Sequence, residues 1–138
     1  RPGQESTQKC VSWLLNKNVP SDKLIIGAAI YARVWENVED TNHGLYQQGK
    51  FKQGVAFKNF SIYFSDTSGY HYYWDKKAEA PYRYNADKKL FATFDDGRSI
   101  KEKTKFIRRK NLGGIMFWEL SEDKNTGGLV DVMYNTLT

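Results

Sequence analysis

Apolar positions recur along this chain in three textures. Residues 6–17, STQKCVSWLLNK, set Cys10, Val11, Leu14 and Leu15 on one side of a 3.6-residue period behind Ser6 or Thr7 as N-cap, which predicts an amphipathic helix. The proline of NVPSDK stops it, and Lys23–Trp35, KLIIGAAIYARVW, then runs apolar without alternation, as a strand buried on both faces does. The same order returns downstream. Asp96 or Ser99 offers a cap, Ser99 and Glu102 stand at capping-box spacing, Ile100, Thr104 and Ile107 share a helical face, and Gly114–Leu120 forms a second buried run. Between these helix–turn–strand units, residues 36–90 are rich in Tyr, Phe, Gly, Asn and Lys, and lack a long helical period. There FSIYF and YHYYW, separated by SDTSG, predict antiparallel strands, and Trp74, Tyr82 and Tyr84 read as their core.

The fold class expected is therefore α/β with an α+β insertion, the insertion emerging at the C-terminal end of a strand, the functional side of such frameworks. Two doubly buried strands need neighbours on both edges. The pattern thus implies a piece of a larger barrel or sheet, or a chain that covers its edges by self-association.

Composition changes this picture in a few places. Aromatics make up 15% of the 138 residues, led by tyrosine, which favours a partly exposed groove over a plain aliphatic core. The net charge of +5 is spread along the chain, and its one tight run, Arg108–Lys110, sits where a helix ends and its dipole favours cations, so no nucleic-acid partner is expected. A single cysteine, Cys10, excludes an internal disulfide framework and a cysteine-rich zinc site; His43 and His71 stand at no metal-ligand spacing. No cofactor and no metal are expected. No apolar stretch approaches the roughly 20 residues that span a bilayer, and no signal peptide is read at Arg1. Asp95 and Asp96 form a tempting carboxylate pair, but directly before a helix they are expected to cap it.

The segments NVPSDKLIIGAAIYARVW, WDKKAEAPYRY and FATFDDGRSIKEKTKFIRRKNLGGIMFWELSED, in this order and spacing, resemble the C-terminal third of glycoside hydrolase family 18, the bacterial-type chitinases. The resemblance implies part of a (β/α)8 TIM barrel, its seventh and eighth strands with flanking helices, from residues 1–35 and 91–138. It also implies a small α+β chitinase insertion domain over residues 36–90. The implied chemistry is substrate-assisted hydrolysis of β-1,4-linked N-acetylglucosamine, in which the N-acetyl oxygen attacks the anomeric carbon while a glutamic acid protonates the leaving oxygen. That acid belongs to a D-x-x-D-x-D-x-E strand, which this sequence lacks, so no catalytic residue is assigned and the chain alone is expected to be inactive.

By resemblance, Trp118 stacks under the sugar at the cleavage subsite, and Tyr31 and Arg33, in YAR where the family usually has Tyr-Gly-Arg, face the ligand from one side of a strand. Trp35 follows two residues on. In HGLYQQG, Tyr46 and Gln47 stand for the Trp and Glu of a Gly-x-Trp-Glu-x-Gly turn over the cleft, so specificity is expected to differ from a standard chitinase. The implied partner is chitin or another N-acetylglucosamine-containing oligosaccharide, outside the cell or secreted, including the periplasm or cell surface. A second expectation is a non-catalytic, chitin-binding, chitinase-like protein; a third is a structural module that self-associates.

Overall fold

The structure, a computed structural model, describes residues 6–138; residues 1–5, the start of the first expected barrel segment, lie outside them. Helix α1 spans Thr7–Asn16, with the Ser6 hydroxyl accepting from the Lys9 N–H at 3.2 Å. Val11 is its buried residue, whereas Cys10, assigned to the same face, is exposed. The chain leaves the helix through Asn18, left-handed at φ 60°, with Val19 N–H returning to the Leu14 carbonyl and Asn18 N–H to that of Leu15. It then enters β1, Ile25–Ala29.

The downstream unit repeats this device. Helix α3, Gly97–Lys110, ends at Asn111 with φ 51°, Leu112 N–H bonds to the Ile107 carbonyl, and β7, Gly114–Trp118, follows. The two strands pair in parallel, from Ile25 opposite Gly114 to Ala29 opposite Trp118. Their entry turns interlock at Gly113, whose N–H donates to the Ser21 and Leu24 carbonyls; a Cβ there would stand 2.1 Å from the Asp22 carbonyl oxygen. Arg108–Lys110 do occupy the last turn of α3, exposed, where the dipole favours cations.

The capping of α3 differs from one expectation. Asp96 is the N-cap and Ser99, not Glu102, closes the box, its Oγ accepting from Asp96 N–H; Glu102 instead pairs with Lys105. A serine at the third helical position reaches back over the cap, whereas Glu102 lies a turn further on. Asp95 is also structural: buried, it accepts from Ser99 Oγ and from Ala29 N–H, and pairs with Lys103 Nζ at 2.5 Å. It thereby covers part of the free edge of β1.

The run Lys23–Trp35 is not one strand. It breaks at Ile30, which is fully buried, and continues as β2, Tyr31–Glu36, in a different sheet. With β3 (Lys50–Ala56), β4 (His71–Asp75), β5 (Ala80–Asn85) and β6 (Leu90–Thr93), it forms an antiparallel sheet in the order β3-β2-β6-β5-β4. The strands of this sheet reach beyond residues 36–90 at both ends. YHYYW is a strand as expected, but FSIYF is the single-turn helix α2, Phe60–Tyr63. Helical spacing sends Phe60, Tyr63 and Phe64 together onto Ala32, Val34, Leu90 and Ala92 of the sheet, whereas a strand would have sent alternate rings into solvent. On the opposite face Tyr82, Tyr84 and Phe91 pack under the loop residue Val38, and the Tyr84 hydroxyl donates to the Val38 carbonyl at 2.7 Å. Trp74 is half-buried, with the Arg98 guanidinium 3.7 Å from its ring centre.

The parallel pair buries one face. Ile26, Ala28, Ile115 and Phe117 pack on α1, α3 and the C-terminal helix α4, Leu129–Leu137. The other face is bare: Ile25 is 53% exposed, Met116 51% and Trp118 65%. The expectation of two buried faces thus fails among the described residues, because no layer lies over the second one. No described helix is long and apolar enough to cross a membrane.

Candidate functional site

Alternation along β2 sets the site. Ala32 and Val34 point into the core at zero exposure, which turns Tyr31, Arg33 and Trp35 to the other face. Tyr31 and Arg33 line a cavity of about 560 Å³ with Ala29, Thr93 and Asp95. Trp35, Tyr46 and Gln47 line a second, of about 570 Å³, with Leu45 and Phe91. Thr93 borders both, so the two cavities adjoin across the middle of the sheet. Five of the six residues singled out in the sequence therefore meet on one continuous wall.

Trp118 lines neither cavity. It ends β7 opposite Ala29, with its backbone carbonyl accepting from Ile30 N–H at 3.0 Å and its ring open to solvent. The peptide bond to Glu119 is cis. Nothing in this arrangement makes Trp118 a plug of the described core.

The Arg33 side chain makes no hydrogen bond or ion pair among the described residues; its guanidinium lies 4.9 Å from the ring centre of Phe51 and 5.6 Å from that of Trp35. Stacking uses the guanidinium faces and leaves its N–H edges free to donate. Phe51, 45% exposed and edge-on to Trp35, is a member of this wall that sequence reasoning missed. It arrives there through a β-bulge: Val34 pairs with Gln53 but Trp35 with Phe51, so Lys52 is the extra residue and turns out to Glu36 at 2.9 Å. A signal for it existed, since Gly49-Lys50-Phe51-Lys52-Gln53-Gly54 repeats the glycine and aromatic spacing of Gly44–Gly49.

Tyr46 is held by its hydroxyl, which donates to the Asp75 carboxylate. That hydrogen bond, helped by partial burial and the carboxylate charge, pushes the Tyr46 phenol up to about 12. On Asp75, burial pushes upward but is outweighed by donation from Tyr46 and the N–H groups of Ala78 and Lys77, and its carboxyl falls below the usual value. Tyr46 thus presents a ring with a fixed tilt, while Gln47, whose side-chain amide donates to the nearby Leu45 carbonyl, stays exposed. No group of His, Cys, Asp and Glu among the described residues could hold a metal.

The family model for glycosyl hydrolases family 18 matches residues 2–123. This chain belongs to glycoside hydrolase family 18. Chitinase A1 of Niallia circulans is 38% identical over 119 residues, covering 80% of this family 18 chain but 17% of that protein. Among solved structures, the cell-surface chitinase ChiW of Paenibacillus sp. FPU-7 superposes with a TM-score of 0.88 at 37% identity, over 99% of this chain and 16% of that one. A family 18 N-acetylglucosaminidase of Paenibacillus barengoltzii gives 0.85 at 34%, over 97% and 39%. The family 18 chain therefore spans well under half the length of these relatives. Its fold is of the TIM-barrel type, with mixed sheets and helices.

Proposed function

We propose that the chain is the C-terminal portion of a chitinase-like glycosidase acting on β-1,4-linked N-acetylglucosamine polymers. Residues 1–35 and 91–138 supply barrel segments and residues 36–90 the insertion domain. The observation that carries this reading is the bare apolar face of β1 and β7, which the sequence writes as a buried one and which ends in the exposed indole of Trp118. A barrel interior is packed by strand side chains, so Ile25 and Met116 face the space that the remaining strands would fill.

Trp118 then offers a flat floor to the C–H face of a pyranose. Arg33, Tyr31, Trp35, Tyr46 and Gln47 form the adjoining wall, with Arg33 donating to hydroxyl or N-acetyl oxygens. Because no D-x-x-D-x-D-x-E segment is present in the chain, it contributes binding and no general acid. A non-catalytic, chitin-binding protein shares this wall and differs only at that acid. The family's curated relatives favour the enzyme, with secretion as the expected setting.

The test is an NMR titration of the chain with the β-1,4 tetramer of N-acetylglucosamine, run beside a product assay on the same sample. The expected result is perturbation at Trp118, Arg33 and the Tyr46 loop, with the tetramer recovered intact. Hydrolysis by the chain alone, or a ligand footprint away from these residues, overturns the proposal.

A further inference from the structure

We infer that Lys58 is a positioning residue that sets the Trp118 platform from the antiparallel sheet; this rests on the proposed role of Trp118. A solvent-facing indole with no ring packed against it among the described residues takes its orientation from the backbone that follows. That backbone is the short turn Leu120–Glu122, itself exposed, with Leu120 66% open to solvent. Lys58 grips it: its Nζ donates to the Ser121 carbonyl at 2.7 Å, and Ser121 Oγ donates to Glu119 Oε1 at 2.5 Å, next to Trp118. A second contact runs in parallel, Lys124 Nζ lying 5.2 Å from the Phe57 ring centre.

Lys58 is itself held. Phe57 N–H donates to the Ile30 carbonyl, and Ile30 N–H to the Trp118 carbonyl, so backbone and side chain close a circuit between residue 58 and the turn after β7. An ammonium donating to a carbonyl is a charge-assisted bond, stronger and more directional than a neutral one. Its loss frees the turn, and the indole then samples tilts that no longer meet a sugar face squarely. The tilt is thus set by a residue distant in sequence that touches neither ligand nor indole.

The experiment measures the affinity of the chain for the N-acetylglucosamine tetramer calorimetrically, and follows the Trp118 indole N–H by NMR, in Lys58→Gln, Lys58→Arg, Trp118→Ala and the Lys58→Gln/Trp118→Ala double variant. Lys58→Gln, whose neutral amide ends one bond short of the lysine Nζ and so does not reach the Ser121 carbonyl, is expected to bind about fivefold more weakly, the fold-change of one lost hydrogen bond. It is also expected to move the ligand-free Trp118 indole signal, while the amides of α3 and β1 stay in place. Lys58→Arg restores affinity to within about twofold, since it still donates to the carbonyl. Lys58→Gln adds nothing in the Trp118→Ala background. Unchanged affinity and indole shift in Lys58→Gln, or an equal loss with Trp118 already removed, overturns the inference alone. An undiminished affinity in Trp118→Ala overturns the platform reading and this inference with it.

Discussion

Trp118→Ala separates a core residue from a binding surface by magnitude. With 65% of the residue open, little of the ring is buried on folding, so the substitution belongs with surface changes, worth within about 0.5 kcal/mol of stability. Binding is another matter. An aromatic side chain carries roughly 150–250 Å² of buriable area, and a pyranose covers about one face of it, roughly half. At about 25 cal/mol per Å² that is about 2–3 kcal/mol, or about 30- to 150-fold in Kd. Titration calorimetry with the tetramer reads the second quantity and thermal unfolding the first. A variant that unfolds far below the parent, or binds within about twofold of it, refutes the reasoning, because either result means that the indole serves packing or nothing.

Other positions test the frame around this surface. Asp95→Ala takes a buried carboxylate away from its three donors and is expected to cost about 3 kcal/mol in urea unfolding, the low end for a buried pair because Lys103 remains 30% exposed; a cost within about 0.5 kcal/mol would show that the edge of β1 does not need it. Gly113→Ala drives a methyl into the Asp22 carbonyl oxygen and should cost about 3 kcal/mol, on the order of 10 °C in Tm, so an unchanged Tm would break the interlocking-turn argument. Tyr46→Phe removes the donor that holds Asp75 down, and NMR titration should find its carboxyl moved up toward the usual value of about 4. The sign follows from linkage. A depressed Asp75 contributes stability above its unfolded value that is lost as pH falls through the folded one, while the raised Tyr46 contributes stability below about 10 that is lost as pH rises through about 12. Tyr46→Phe should flatten both limbs, and an unaltered acid limb would refute the coupling.

Much of this frame is legible in the sequence because local rules act there. Ser6 and Asp96, each one of two cap candidates, announce their helices, although the box on α3 closes between Asp96 and Ser99 and not between Ser99 and Glu102. That Tyr31, Arg33 and Trp35 share one side follows from strand alternation, whereas a ligand-facing role for that side was implied only by the family resemblance. What could not be read depended on contacts far apart in the chain. Lys23–Trp35 is predominantly apolar whether it forms one strand or two, and only pairing with β7 on one side and β3 and β6 on the other divides it at Ile30. FSIYF carries rings at spacings that suit a strand or a helical turn, and the sheet beneath decides. Phe51 was hidden by the bulge at Lys52, which breaks the alternation used to choose a face.

Ile30 has a mechanical consequence. Fully buried, it donates its N–H to the last residue of β7 and gives its carbonyl to the segment that leaves β3, so this one residue is bonded into both sheets. To swing one sheet against the other, the molecule would have to break both bonds and expose the isoleucine. The strand end that carries Trp118 and the wall of Tyr31, Arg33 and Trp35 therefore form one anvil and not two jaws.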